Sequence, residues 1–218
     1  MNSICQPSQL PHGAYAFDQF KAEDFRDAFR QAIEEKQREV EAIISSTEAP
    51  TFANTILALE HSGALLDWVS GSFYNLLHAE ATDELMQISQ EVSPSLSALS
   101  SFITLSEPLF ERIRQVWEAR ESLQLDAEDL RLLERCYEGF SESGAQLPTE
   151  KKERLREVKR ELSELSLTFG QNNLKDQQRF RLFVEDATSI EGLPHSTLAV
   201  ARELAEKEGK GEGWLFTL

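Results

Sequence analysis

Residues Pro50 to Glu60, PTFANTILALE, contain a helix stop followed at once by a helix start. Proline has no N–H to donate and its ring clashes with the preceding turn, so Pro50 ends the helical pattern upstream. Thr51 then offers a side-chain oxygen to the orphan N–H groups of a new helix, and Phe52, Ile56 and Leu59 recur at helical spacing. The stretch predicts a helix with one buried face. The same grammar of cap, apolar stripe and breaker repeats on either side of it.

Upstream, a helix is expected over about residues 22–46. Phe25, Phe29, Ile33, Lys36, Val40 and Ile43 share one stripe, interrupted only by the aliphatic stem of Lys36. Residues 1–16 carry Pro7, Pro11 and Gly13 and read as an extended N-terminal arm over the surface. Downstream, the helix begun at Thr51 is expected to run to about Leu77. Phe52, Ile56, Leu59, Leu66, Val69, Phe73 and Leu76 point inward, and Gly63 admits a close neighbour. A third helix from about Thr82 shows Leu85, Ile88, Val92, Leu96, Leu99 and Ile103, with a kink or break expected at Pro94.

Ser106 and Pro108 open a helix with the stripe Leu109, Ile113 and Val116. Asp126 caps the next, which carries Leu130, Leu133, Tyr137 and Phe140 and ends near Gly144. After Pro148 and Thr149 comes the longest pattern, where Leu155, Val158, Leu162, Leu165 and Phe169 are spaced 3, 4, 3 and 4. That is a heptad seam, and it predicts an antiparallel helical partner. RFRLFVED after Gln178 reads as a short extended piece, followed by a loop at Gly192 and Pro194 and a last helix to about Glu208. Residues 209–218 form a glycine loop and then WLFTL (Trp214 to Leu218), the start of an incomplete strand with no partner, so Leu218 is expected to be a boundary inside a longer protein. The fold class is all-α: a multi-helix antiparallel bundle over residues 17–208.

Composition narrows the function classes. A formal net charge of −16 repels nucleic acid and anionic lipid, whose binding depends on Lys and Arg. Neither nucleic acid nor membrane is expected as a partner. Cys5 and Cys136 are far apart and form no CxxC, and the N-terminus has no basic, then apolar, leader, so a cytoplasmic location is expected. At 218 residues and 40% hydrophobic, the chain is able to bury roughly 70% of its unfolded surface.

Four strings, in order, carry a resemblance. They are AYAFDQFKAEDFRDAFRQAIEE (Ala14 to Glu35), PTFANTILALE with LLDWVSGSFYNLLHAEATDELMQISQEVSPSLS (Leu65 to Ser97), LDAEDLRLLERCYEGFSESGAQLPTEKKERLREVKRELSELSLTFGQN (Leu125 to Asn172) and LPHSTLAVARELAEKEGKGEGWLFTL (Leu193 to Leu218). The chain thereby resembles the N-terminal region of the oligopeptidase A, thimet oligopeptidase and peptidyl-dipeptidase family of zinc metallopeptidases. That resemblance implies a neurolysin-like helical lobe forming one wall of a channel that admits short peptides. It also implies a separate catalytic region in which a helical HExxH and a further glutamate hold zinc.

No such motif occurs here. His12, His61, His78 and His195 are followed by Gly13, Ser62, Ala79 and Ser196, and none begins an HExxH. Two histidines one helical turn apart are how that family supplies two of its zinc ligands, so no catalytic or metal residue is assigned in this chain and substrate-binding residues are unknown. His78-Ala79-Glu80 is superficially like the HxE of zinc deaminases but lacks their PCxxC, and reads as a polar helix end. The loop around Lys210 lacks the glycine spacing and the Ser or Thr of a phosphate loop. Lys151, Lys152, Arg154, Arg156, Lys159 and Arg160 alternate with Glu150, Glu153, Glu157 and Glu161. They suit either a solvated face of ion pairs, the preferred reading, or contact with an acidic partner or a peptide C-terminus. Phe73 reads as core, while Tyr74 and Asn75 are left open between core and channel lining. Two functions follow: the noncatalytic lobe of a zinc oligopeptidase, with short peptides and the missing catalytic lobe as its partners, or a free-standing acidic helical interaction module.

Overall fold

The computed structural model describes residues 2–6, 8 and 10–217, so expectations placed on Met1, Pro7 and Leu218 lie outside the described residues. The fold is all-α with one small sheet, and it divides into two compact units, residues 1–165 and 166–218.

The first unit is organised along helix α1 (Asp24–Ser45), whose two halves enter different cores. Phe25, Ala28, Phe29 and Ala32 of the N-terminal half join Val69 and Phe73 of α3 (Ala64–Glu80) and Leu85, Ile88 and Val92 of α4 (Asp83–Thr104). Val40 and Ile43 of the C-terminal half join Phe52 and Ile56, then Leu109, Phe110, Ile113 and Val116 of α5 (Glu107–Glu118), and Leu133 and Phe140 of α6 (Ala127–Glu142). The apolar stripes read from the sequence are thus the two cores. Leu130 departs from its stripe and lies exposed. Thr82, Ser106 and Asp126 each accept backbone N–H groups as N-caps.

The single helix expected from Thr51 to Leu77 is two helices. Thr51 and Asn54 form a reciprocal capping box, with the Asn54 N–H donating to Thr51 Oγ1 at 3.0 Å and the Thr51 N–H donating to Asn54 Oδ1 at 2.8 Å. A wide π-helical turn, Phe52–Leu57, follows and runs into the short helix α2 (Ala58–His61). There the chain breaks: Ser62 is extended at ψ 145°, and Gly63 is left-handed at φ 83° before α3 begins. Lys36 fixes the break. Its ammonium donates to both the carbonyl and the hydroxyl of Ser62 at 2.7 Å, while Glu39 accepts the Gly63 N–H at 2.6 Å. A cation and an anion one turn apart on α1 therefore satisfy the backbone that the break leaves unpaired.

Three other expectations are corrected. The N-terminal arm is built into the fold: Ile4 is fully buried in the α3–α4 core, its carbonyl accepts from Trp68 Nε1 at 2.8 Å, and Asn2 donates to the carbonyl of Asp24 at 2.7 Å. Pro94 does not break α4, which runs on through it from Asp83 to Thr104 with Pro94 on its exposed side and Val92 and Leu99 buried. The heptad seam of α7 (Thr149–Arg179) has no helical partner among the described residues. Leu162, Leu165 and Phe169 are 61%, 59% and 76% exposed, and Val158 is exposed as well. Hydrogen bonds instead turn a polar face of α7 to α4, with Lys159 Nζ donating to Thr104 Oγ1 at 3.1 Å and Ser163 to Ser97 Oγ at 3.4 Å.

The second unit holds a two-stranded sheet. The extended piece predicted after Gln178 is β1 (Leu182–Val184), and it pairs antiparallel with β2 (Trp214–Phe216), so the strand expected to lack a partner finds one within the chain. Phe183 lies opposite Leu215, and Ala201 and Ala205 of α8 (His195–Lys207) are buried, as is Leu215. The Arg202 guanidinium stacks over Trp214 at 5.1 Å.

The break between α2 and α3 is specific to glycine. A Cβ on Gly63 would lie 2.6 Å from Lys36 Cδ, and its left-handed backbone disfavours L-residues by about 1–2 kcal/mol. Gly63→Ala is expected to destabilise the protein by about 2 kcal/mol or more in urea unfolding. Gly139→Ala, in open space within α6, is expected to stabilise it by about 0.5–1 kcal/mol.

Candidate functional site

The histidines are dispersed and exposed: His12 in the N-terminal turn, His61 at the end of α2, His78 in the last turn of α3 and His195 at the start of α8. No group of three or more His, Cys, Asp or Glu side chains able to hold a metal occurs among the described residues. No helix among the described residues is long and apolar enough to cross a membrane.

Side chains left open by the sequence fall into place. Phe73 is wholly buried and meets Phe25, Phe29 and Tyr74 edge-on at 5.1 to 5.2 Å. Tyr74 packs against the same core, and burial raises its phenol above the ordinary value, against the opposing effect of Ser89. Asn75 is exposed and donates back to the Gly71 carbonyl at 2.8 Å. Within the basic run, Arg154 pairs with Glu157 at 2.8 Å and Arg160 with Glu164 at 3.8 Å, on an exposed face. Lys152 is the exception: it is only 6% exposed.

Lys152 lines a polar groove of the first unit that sequence reasoning did not foresee. The groove holds about 620 Å³ and runs between α5 and the turn from α6 into α7. Glu107, Phe110, Glu111, Arg114, Glu118 and Tyr137 form one side, and Ala145 to Thr149 with Lys152 the other. Gly144, left-handed at φ 95°, makes the turn, with Leu155 and Leu147 packed where a Cβ would stand. Tyr137 is held between Phe110 and Trp117, stacked at 5.7 and 4.9 Å, and Arg120 caps the stack 4.2 Å from the Trp117 ring. Gln115 and Arg114 hold the Glu111 carboxyl below its ordinary value, and Arg114 also bonds Glu118 at 3.0 Å. The only sequence signal for the groove was PT following G-A-Q-L, a turn into a helix start.

Away from the groove, burial is the largest influence on Lys36, Lys159 and Cys136. Desolvation lowers Lys36 against the opposing charges of Asp67, Glu39 and Glu60, and it lowers Lys159. Burial, with a smaller push from Glu60, drives the Cys136 thiol up to about 11.

Comparison with known proteins now gives the chain its relatives. No family model matches it. Along its whole length it is 39% identical to the dipeptidyl carboxypeptidase of Salmonella typhimurium and 36% identical to that of Escherichia coli, covering 32% of each. It is 25% identical over 217 residues to the oligopeptidase A of Escherichia coli, covering 31% of that protein. The chain thus spans about a third of the length of the curated relatives it matches. It is similar along its length to peptidases named dipeptidyl carboxypeptidase and oligopeptidase A, and over 86% of it to a thimet-like oligopeptidase of Dictyostelium discoideum.

The raised thiol is directly measurable. Cys136 titrates above its ordinary 9.0, so the folded state keeps its proton longer than the unfolded chain does. This contribution to stability is present below about pH 9 and lost as pH rises toward 11. At pH 8 its alkylation by iodoacetamide, followed by peptide mass mapping, is expected to be roughly a hundredfold slower than in the denatured chain. Equal rates would mean that the thiol is not shielded.

Proposed function

We propose that the chain is the noncatalytic N-terminal helical lobe of a zinc-dependent peptidase that hydrolyses short peptides. In this reading it forms one wall of the path by which peptides reach a catalytic site carried elsewhere in the polypeptide. The observation that carries it is the match to two dipeptidyl carboxypeptidases along the entire chain, with about two thirds of each relative lying outside the match. The absence of an HExxH from the sequence supports placing the metal in that remainder, where zinc would bring a bound water to a pKa of about 7 and polarise the scissile carbonyl.

What this chain contributes is framework. Its two cores along α1 make a rigid wall, and rigid walls orient a peptide and exclude folded proteins by size. The acidic surface repels polyanions and tolerates peptides that carry basic residues. The exposed apolar face of Val158, Leu162 and Leu165 on α7 favours a protein neighbour, and it is the one feature that also suits an acidic interaction module. The whole-length match to peptidases favours the peptidase lobe.

The test is a comparison of two polypeptides. The longer product of the gene should cleave short unstructured peptides and lose that activity on treatment with a zinc chelator, while the 218-residue chain supplied with zinc should cleave nothing. Zinc-dependent cleavage by the purified 218-residue chain would refute the division of labour.

A further inference from the structure

The small sheet of the second unit has a free edge with a groove beside it. β1 and β2 pair only with each other, Leu182 opposite Phe216, Phe183 opposite Leu215 and Val184 opposite Trp214. Along an antiparallel pair, residues alternate between exchanging both backbone bonds with the partner and directing both away from it. Part of the β2 backbone therefore points away from β1, and no other element bonds the backbone of Trp214, Leu215 or Phe216 among the described residues. An unpaired edge of this kind is a template for a further strand. The groove beside it holds about 400 Å³, with Thr197, Val200 and Leu204 of α8 on one wall and Leu215, Phe216 and Thr217 on the other. Successive side chains of a strand point to opposite faces, so three consecutive residues line one groove only where it runs along the strand's edge. No β1 residue lines it, which puts it on the side of β2 away from β1. None of its lining residues is charged, in a chain of net charge −16.

We infer that this groove binds an extended, uncharged peptide segment as a third strand on β2. Its backbone bonds the outward N–H and C=O groups of β2, and its alternate apolar side chains lie against Val200, Leu204 and Phe216. A charged side chain is disfavoured there, because it would give up water without gaining a partner. A compact small molecule could use the apolar wall but would lack the repeated donors and acceptors that a strand edge matches. The occupant is a single segment and not a second copy of the chain, since a second copy would bring its own α8 along with its β2 to a groove that α8 already walls. Nothing in this assignment depends on the peptidase reading, and chelation of the longer product leaves it untouched.

The test is a titration of the 218-residue protein with the capped, uncharged peptide acetyl-Thr-Val-Thr-Val-Thr-amide, followed by NMR. Saturable amide shifts of Val200, Leu204, Leu215, Phe216 and Thr217 are expected, with a Kd on the order of 1 mM, together with cross-strand contacts between peptide and β2 protons. N-methylation of the three central residues of the peptide removes backbone donors and keeps the apolar side chains, and is expected to weaken binding about tenfold or more. Val200 is 66% exposed, so Val200→Glu should leave the melting temperature unchanged while its charge in the groove weakens binding about tenfold. Glu203→Gln, on α8 but outside the groove, should bind as the parent does. Equal binding of the plain and N-methylated peptides, or no saturable shift up to about 20 mM, would overturn the assignment. So would a concentration-dependent dimer in sedimentation that Val200→Glu abolishes and that takes up no peptide, since the edge would then belong to a second copy. The N-methyl comparison needs no variant and decides the matter even if Val200→Glu folds poorly.

Discussion

The hydrogen bonds from the Lys36 ammonium to Ser62 are the constraint on which the first unit is organised. A helix running unbroken from Thr51 would carry its apolar stripe along one straight line and serve only one core. The break at Ser62 and Gly63 redirects the chain, so that Phe52 and Ile56 enter the core with α5 and α6 while Val69 and Phe73 enter the core with α3 and α4. Such a break exposes backbone groups that need partners in a partly buried place, and α1 provides them from its midpoint. Desolvation lowers the lysine, and the nearby carboxylates Asp67, Glu39 and Glu60 oppose that effect and favour its charged form. One side chain thus joins the two halves of α1 to the two segments they pack against.

The same logic, applied to α7, gives opposite faces different tasks. A row of polar side chains, Lys159 and Ser163, is satisfied against α4, while the apolar row Val158, Leu162 and Leu165 remains in solvent. Apolar side chains repeated at heptad spacing and left uncovered on a soluble helix mark a surface that meets another protein segment. At the N-terminus of the same helix, Lys152 is a buried residue lining the groove, so one continuous sequence supplies a bonded polar face, an exposed apolar row and a residue packed against the turn.

Much of the fold was legible because caps and stripes are local. Thr51, Thr82, Ser106 and Asp126 act as the N-caps their side chains allow, and Phe25, Phe29, Val40, Leu85, Ile88, Leu109, Ile113 and Leu133 are buried as their spacing requires. The family was legible as well, since strings of side chains in order are a property of sequence. Less was legible of the candidate site. Nothing in the alternation of Lys and Glu from Glu150 to Glu161 distinguishes the one lysine that is buried from those that are solvated.

The sequence alone therefore determined where helices begin, which side chains avoid water, the acidic charge, the lack of an HExxH and the kinship with oligopeptidases. Each of these depends on residues close together in the chain or on residue identity itself. Tertiary structure decided the break at Gly63, the burial of Ile4, the pairing of Leu182–Val184 with Trp214–Phe216, the solvent exposure of the α7 seam and the low exposure of Lys152. These depend on partners far away in sequence: Lys36 lies 26 residues from Ser62, and Trp68 lies 64 from Ile4. Local spacing specifies that a face must be covered or a charge satisfied, but only the packed chain specifies which distant group does it.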